Sequence, residues 1–406
     1  MSYSTSRVRW NPASEHAAST PRSETGDQVA DSAVPVRLLV AAGGTGGHVY
    51  PGIAIAEEWM RLHPDSQVTF VGTSRGVEAK AVPAAGFAFR PIEARGFPRR
   101  PTPEAIGALW SFGRGFMQMA GIIKEVKPHV ILATGGYVSG PAAIWARLLS
   151  IPLVLQEQNS VPGAANRWLS LIASQVHISF VESRSYFRRK NHLKVTGNPI
   201  RRSLLLQDKA SAYEALGLDP SRRTLLVFGG SRGATSINRA VAGALPLLAR
   251  VPSLQVIWQT GSEDEAAMKE ASRTAPYPVR VRAYVDRMEE AYAVADLAIC
   301  RSGAMTITEL TACGVPSILI PYPHAARDHQ TQNARGLVDR GAAEMIEDKA
   351  LDPAELATRV EALFRDESRL RRMARNARAF ARTNAAEKIA RSIEALAGLA
   401  SPVDES

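Results

Sequence analysis

Two glycine-rich stretches carry the clearest chemical signal in this chain: Gly43-Gly44-Thr45-Gly46-Gly47-His48 and Gly229-Gly230-Ser231-Arg232-Gly233-Ala234. Each follows a short apolar β run, at 36–42 and 224–228. Each precedes residues at helical spacing: Ile53, Ala54, Ala56 and Trp59 after the first, Ile237, Ala240 and Val241 after the second. A loop that turns a strand into a helix leaves backbone N–H groups unpaired at the positive helix end, which makes an anion site. Glycine there can also serve the turn alone. Two such loops opening two separate units favour two phosphate-bearing ligands. His48 closes the first loop where its helix begins, within reach of any phosphate held there.

Two common nucleotide chemistries are disfavoured. Aligning Gly44-Thr45-Gly46 with a dinucleotide fingerprint puts Val49 where the third glycine belongs, and the second strand ends in Gly72-Thr73-Ser74 with no ribose-binding acid. Neither loop is followed by a lysine and a Ser or Thr, as a P-loop triphosphatase requires. Cys300 and Cys313 match no metal spacing and form no disulfide framework, so they read as buried thiols in a reducing compartment.

The elements that must position these loops repeat one grammar. Strands at 67–71, 129–133 (ending at Gly135-Gly136) and 153–155 (ending at Gln156-Glu157-Gln158-Asn159) alternate with helical segments. A second series follows at 255–259, 279–283, 297–300 and 317–320. Such alternation predicts α/β units with parallel sheets covered by helices on both faces. Gly197-Asn198-Pro199 marks the hinge, because proline bars helix from the residue before it. The reading is a disordered tail over 1–35, rich in Ser, Ala and Pro, then domains at 36–198 and 199–406. A basic, alanine-rich helical stretch over 366–399 closes the chain, its last helix expected to pack back on the N-terminal domain.

With 406 residues, 45% hydrophobic and 22% charged, the composition suits two globular domains. No run approaches the roughly 18 to 20 apolar residues of a membrane span, nor do the first residues resemble a signal peptide. A net charge of +10 points to anionic partners. It is concentrated at 95–127 and at 182–202, where Arg188, Arg189 and Lys190 stand in a row. Between 97 and 123, Ile106, Leu109, Trp110, Phe116, Met117 and Ile123 recur at helical spacing beside Arg99, Arg100 and Arg114. That segment suits an anionic membrane surface or a helix packed on the first sheet.

The loops, with Pro51-Gly52, Gly135-Gly136-Tyr137-Val138-Ser139-Gly140-Pro141, Glu157-Gln158-Asn159, Gly197-Asn198-Pro199, Arg301-Ser302-Gly303-Ala304 and Asp328-His329-Gln330, resemble the MurG family in order and spacing over nearly all of 36–400. The resemblance implies a GT-B fold, two Rossmann-like domains whose parallel sheets face a cleft. It implies inverting transfer of N-acetylglucosamine from UDP-GlcNAc to undecaprenyl-pyrophosphoryl-MurNAc-pentapeptide. It also implies a peripheral enzyme on the cytoplasmic face of a bacterial inner membrane, contacting its anionic surface, with no metal, no cofactor and no nucleic-acid partner.

By the same resemblance, Ser231 and its loop hold the donor diphosphate, and Glu309 accepts the ribose hydroxyls. Gln330 contacts the sugar, and Val285 reads uracil through its backbone. Thr45, Gly46, Gly47, Asn159, Arg201, Ala304, Met305 and Thr306 complete the donor site. Gly44, Thr45, His48 and Tyr137 serve the acceptor diphosphate. His48 is the candidate general base, since an inverting transfer deprotonates the acceptor 4-hydroxyl as it attacks C1; contact with a carrier phosphate is its other reading. Arg232, Met305 and His329 depart from the family's commonest residues. The rival readings are another GT-B transferase acting on a lipid, a UDP-sugar epimerase of the same fold, or a non-catalytic basic protein. The last leaves both loops and Glu309 unexplained.

Overall fold

The computed structural model describes residues 35–96, 104–230 and 232–399. The tail expected at the N-terminus, Phe97, Arg99, Arg100 and Ser231 lie outside the described residues. Two all-parallel sheets organise the chain. The first contains β1 (Arg37–Ala42), β2 (Gln67–Gly72), β3 (Ala88–Pro91), β4 (Val130–Gly135), β5 (Leu153–Glu157), β6 (Gln175–Ile178) and β7 (Leu193–Val195), in the order β3-β2-β1-β4-β5-β6-β7. The second contains β8 (Arg223–Phe228), β9 (Leu254–Gln259), β10 (Val279–Arg282), β11 (Leu297–Cys300), β12 (Ser317–Leu319) and β13 (Ala343–Met345), in the order β10-β9-β8-β11-β12-β13.

The central strands are apolar on both faces because helices cover both. In β1, Leu39 and Ala41 pack toward Met119 and Ile123, while Leu38, Val40 and Ala42 pack toward Ile53, Trp59 and Val82. Trp59 is fully buried on α1 (Gly46–Leu62), and truncation to Ala would cost about 3–5 kcal/mol. Met119 and Ile123 come from α3 (Glu104–Val126), and Val82 from α2 (Glu78–Ala84). The second sheet is covered likewise, with Trp258 at the centre of one face and Tyr292 on the other.

Strand order reverses between β1 and β4 in one sheet and between β8 and β11 in the other. Ligands of doubly wound sheets bind outside the carboxyl ends of strands at such switch points. Both glycine loops, at the ends of β1 and β8, therefore lie where the topology opens a crevice.

The C-terminal stretch is two helices, Glu367–Phe380 and Ala385–Leu396, rather than one. Ile389, Ala390 and Ile393 of the second are buried against Val40, Trp59 and Val154 in the N-terminal core, and Lys194 Nζ donates to Ser392 Oγ at 3.3 Å. The bonds that join the halves include Asn198 Nδ2 to Thr308 Oγ1 at 3.1 Å and Ser160 Oγ to Asn333 Oδ1 at 2.9 Å. Among the described residues no helix is long and apolar enough to cross a membrane.

Candidate active site

A cleft of about 550 Å³ lies between the two sheets. Thr45, Gly46, Gly47 and His48 form one wall, and Ala304, Met305, Thr306 and Glu309 the other, with Asn159, Arg201 and Gln330 between them. Eleven sequence-predicted residues thus share one cavity.

His48 sits in the first turn of α1, its ring over Gly135 at the end of β4. Gly135 has φ +118°, and a Cβ there would stand 2.6 Å from His48 Cδ2, so the imidazole occupies space that any other residue would fill. His48 Nδ1 lies 3.1 Å from the Gly43 carbonyl. A carbonyl only accepts, so Nδ1 carries the proton and a neutral ring leaves Nε2 as the lone pair. Burial lowers the imidazole below its ordinary range, and the Gly43 bond, Glu157 and Glu78 act in the opposite direction. The ring is consequently neutral at physiological pH, the form a base requires.

On the opposite wall, the helix Ala304–Cys313 carries Glu309, whose Oε2 accepts from Tyr292 Oη at 3.0 Å. Burial raises the Glu309 carboxyl to about 6, with the Tyr292 bond and Arg201 opposing that rise. Arg201 stacks over the Tyr50 ring at 5.3 Å and reaches Glu289 at 3.4 Å, while its buried Nε has no hydrogen-bond partner. Gln330 Oε1 accepts from Tyr322 N at 2.9 Å and its carbonyl accepts from Ser302 Oγ at 2.8 Å, tying the sugar-side loop to the end of β11. The helix Thr235–Ala244 begins after Gly233 with no side-chain cap, its first amides open toward the second loop.

Three expected contacts differ. Gly44 does not offer its amide to a diphosphate: that N–H donates to both carboxylate oxygens of Glu78, at 3.2 and 3.1 Å. Val285 is buried outside the cleft lining, and its N–H is taken by Gln259 Oε1 at 2.8 Å, while its neighbours Tyr284 and Asp286 face the cleft. Tyr137 is exposed, its ring against Gly96 rather than in the cleft.

Sequence reasoning missed Glu78 and left Glu157 without a role. Glu157 is buried and accepts from Asn159 N and Nδ2, Gly163 N and Asn166 Nδ2, which fixes Asn159 at the cleft. A carboxylate ending the apolar strand at 153–157 was the available signal. Tyr50, whose hydroxyl meets Tyr284 Oη at 3.1 Å, was also missed. Among the described residues no group of three or more His, Cys, Asp or Glu could hold a metal ion.

Residues 38–178 match the glycosyltransferase family 28 N-terminal domain and residues 224–391 its C-terminal domain. The chain is 42% identical to the UDP-N-acetylglucosamine–N-acetylmuramyl-(pentapeptide) pyrophosphoryl-undecaprenol N-acetylglucosamine transferase of Prosthecochloris aestuarii, over 90% of this chain and all of that one. It is 42% identical to the enzyme of the same name from Salinibacter ruber, over 89% and 96%. The crystal structure of Acinetobacter baumannii MurG superposes with a TM-score of 0.68 at 28% identity, covering 89% of this chain and all of that one. UDP-GlcNAc 2-epimerase from Neisseria meningitidis reaches 0.65 at 13% identity over 88% and 99%, a likeness of fold alone. With both of its domains matched in order and full-length relatives above 40% identity, the chain belongs to glycosyltransferase family 28 and, within it, to the MurG family.

Proposed function

We infer that this protein transfers N-acetylglucosamine from UDP-GlcNAc to the 4-hydroxyl of the MurNAc sugar in undecaprenyl-pyrophosphoryl-MurNAc-pentapeptide, with inversion at C1. The observation that carries the reading is one cleft with the His48 imidazole on its N-terminal wall and the Glu309 carboxyl, the candidate acceptor for the ribose hydroxyls, on its C-terminal wall. The acceptor oxygen attacks C1, its proton passes to His48 Nε2, and the bond from C1 to the UDP diphosphate breaks. The departing negative charge is met by the second glycine loop and the open amides of the helix Thr235–Ala244. Arg201, Asn159, Gln330, Thr45, Gly46 and Gly47 hold the donor, and Thr45 with His48 faces the acceptor.

The acceptor's lipid places the enzyme against the cytoplasmic face of the membrane as a peripheral protein. On α3, Leu109, Trp110 and Met117 are 63%, 72% and 68% exposed around Arg114, an apolar and basic face suited to an anionic bilayer. The other reading of this helix also holds in part, since Met119 and Ile123 pack on the sheet.

Incubation with labelled UDP-GlcNAc and a short-chain analogue of the muramyl pyrophosphoryl lipid tests the assignment. Labelled disaccharide lipid, formed equally with and without a chelator, is the expected product. Epimerised nucleotide sugar without transfer would refute it.

A further inference from the structure

Glu78, the first residue of α2, is fully buried and forms no ion pair among the described residues. Burying an unpaired carboxylate is costly unless every lone pair is engaged. Here Oε1 accepts from Thr73 N at 2.8 Å and Thr73 Oγ1 at 2.7 Å, and both oxygens accept from Gly44 N. Gly43, Gly72 and Gly76 enclose it, and a Cβ on any of them would collide with it; at Gly43 the Cβ would stand 2.9 Å from Oε1. The slot is cut for a carboxylate.

The Gly43 carbonyl and the Gly44 N–H belong to a single peptide group. On one side of that group His48 Nδ1–H donates to the oxygen; on the other, the N–H donates to Glu78. An anion drawing on a peptide N–H shifts electron density through the conjugated amide to its oxygen, and hydrogen bonds in series strengthen one another. We propose that Glu78 is a positioning residue for His48, acting through the Gly43–Gly44 peptide to hold the Nδ1–H tautomer and to favour the imidazolium as it forms. This rests on His48 being the base. The other charged group facing the ring is Glu157, on β5, whose carboxylate bonds go to Asn159 and Gly163 of the following loop and to Asn166 of the next helix. Glu78 therefore does for His48 what a directly bonded carboxylate does in other acid–base pairs, one peptide removed.

The test uses the full chain with ¹⁵N-labelled histidine, the His48 signal assigned by its loss in His48→Ala. Wild-type His48 is expected as the Nδ1–H tautomer. Glu78→Gln is expected to lower kcat about tenfold, the low end for losing a partner that orients an imidazole. It should move the acid limb of kcat and the His48 titration of the free enzyme together to lower pH. Glu78→Asp keeps the charge and should keep the wild-type limb. A Glu78→Gln enzyme that loses thermal stability and kcat but leaves both titrations in place would overturn the proposal. So would a wild-type His48 carrying its proton on Nε2, a result that needs no variant to fold. Undiminished turnover by His48→Ala would remove the base reading instead, while the titration still reports the coupling.

Discussion

Tyr50 Oη lies 3.1 Å from Tyr284 Oη, so the first helix and the loop before the helix Met288–Val294 meet phenol to phenol across the cleft. Burial, with the Tyr50 bond, raises the Tyr284 phenol well above its usual range, so it stays protonated at working pH. Tyr50→Phe and Tyr284→Phe each remove a bond worth about 0.5–1.5 kcal/mol, and KM for UDP-GlcNAc should rise roughly two- to tenfold. Because one bond is lost either way, the double variant should be no worse than the poorer single one. Additive losses in steady-state kinetics would show that the contact does not couple the domains.

His48→Ala should lower kcat by at least about a hundredfold with little change in UDP-GlcNAc affinity. Burial holds the imidazole below its ordinary range, so in the wild type kcat should persist as pH falls and drop only beneath 6.5. Wild-type turnover by the variant would exclude the base.

Glu309 gives the donor site a different acid limb. Its carboxyl is raised to about 6, chiefly by burial, and the ionised form is the one that accepts two ribose hydroxyls. UDP binding should weaken as pH falls through 6, by about tenfold at pH 5, appearing in KM rather than kcat; Glu309→Gln should abolish that limb. For folding the sign is reversed. The folded carboxyl holds its proton more tightly than the unfolded one near 4.5, so this group's contribution to stability declines between pH 4.5 and 6 and is level above. Calorimetric titration of UDP across this range checks the first statement.

For membrane contact the structure selects the residues to change. Phe112 stacks on Phe116 at 6.4 Å and Phe116 on Trp145 at 4.8 Å, so that pair belongs to the packing of α3 on α4 (Ser139–Leu148). Leu109, Trp110 and Met117 face outward. Replacing these three by Ser should reduce sedimentation with anionic vesicles severalfold, at an apolar contribution of about 25 cal/mol per Å², with turnover of a soluble acceptor analogue retained. Equal sedimentation of variant and wild type would rule out this face.

The central strands and both loops were legible because buried parallel strands read as unbroken apolar runs and a glycine turn ends each. Edge strands β3, β7 and β13, and β6 beside β7, were not. In β3, Ala88–Pro91, three of four residues are exposed, and β13 is three residues long with Glu344 in its middle; neither carries enough buried surface to print a pattern. At the site, residues whose own motif meets the cleft were found. Glu78 escaped notice because its role depends on the distant Gly43 and on an amide 34 residues away, a juxtaposition only folding makes. The Gly44 and Val285 amides share a related limit: a sequence shows which amides exist, but not which are already taken.

The return of the final helix to the first core has a consequence in the order of synthesis. Val40, Trp59 and Val154 emerge from the ribosome before the second sheet, yet Ile389, Ala390 and Ile393, which close over them, follow the whole of it. Domains of a growing chain usually fold as they appear. Here the first must wait with one flank open until the second has been made, so a polypeptide cut short before residue 385 lacks part of its first domain.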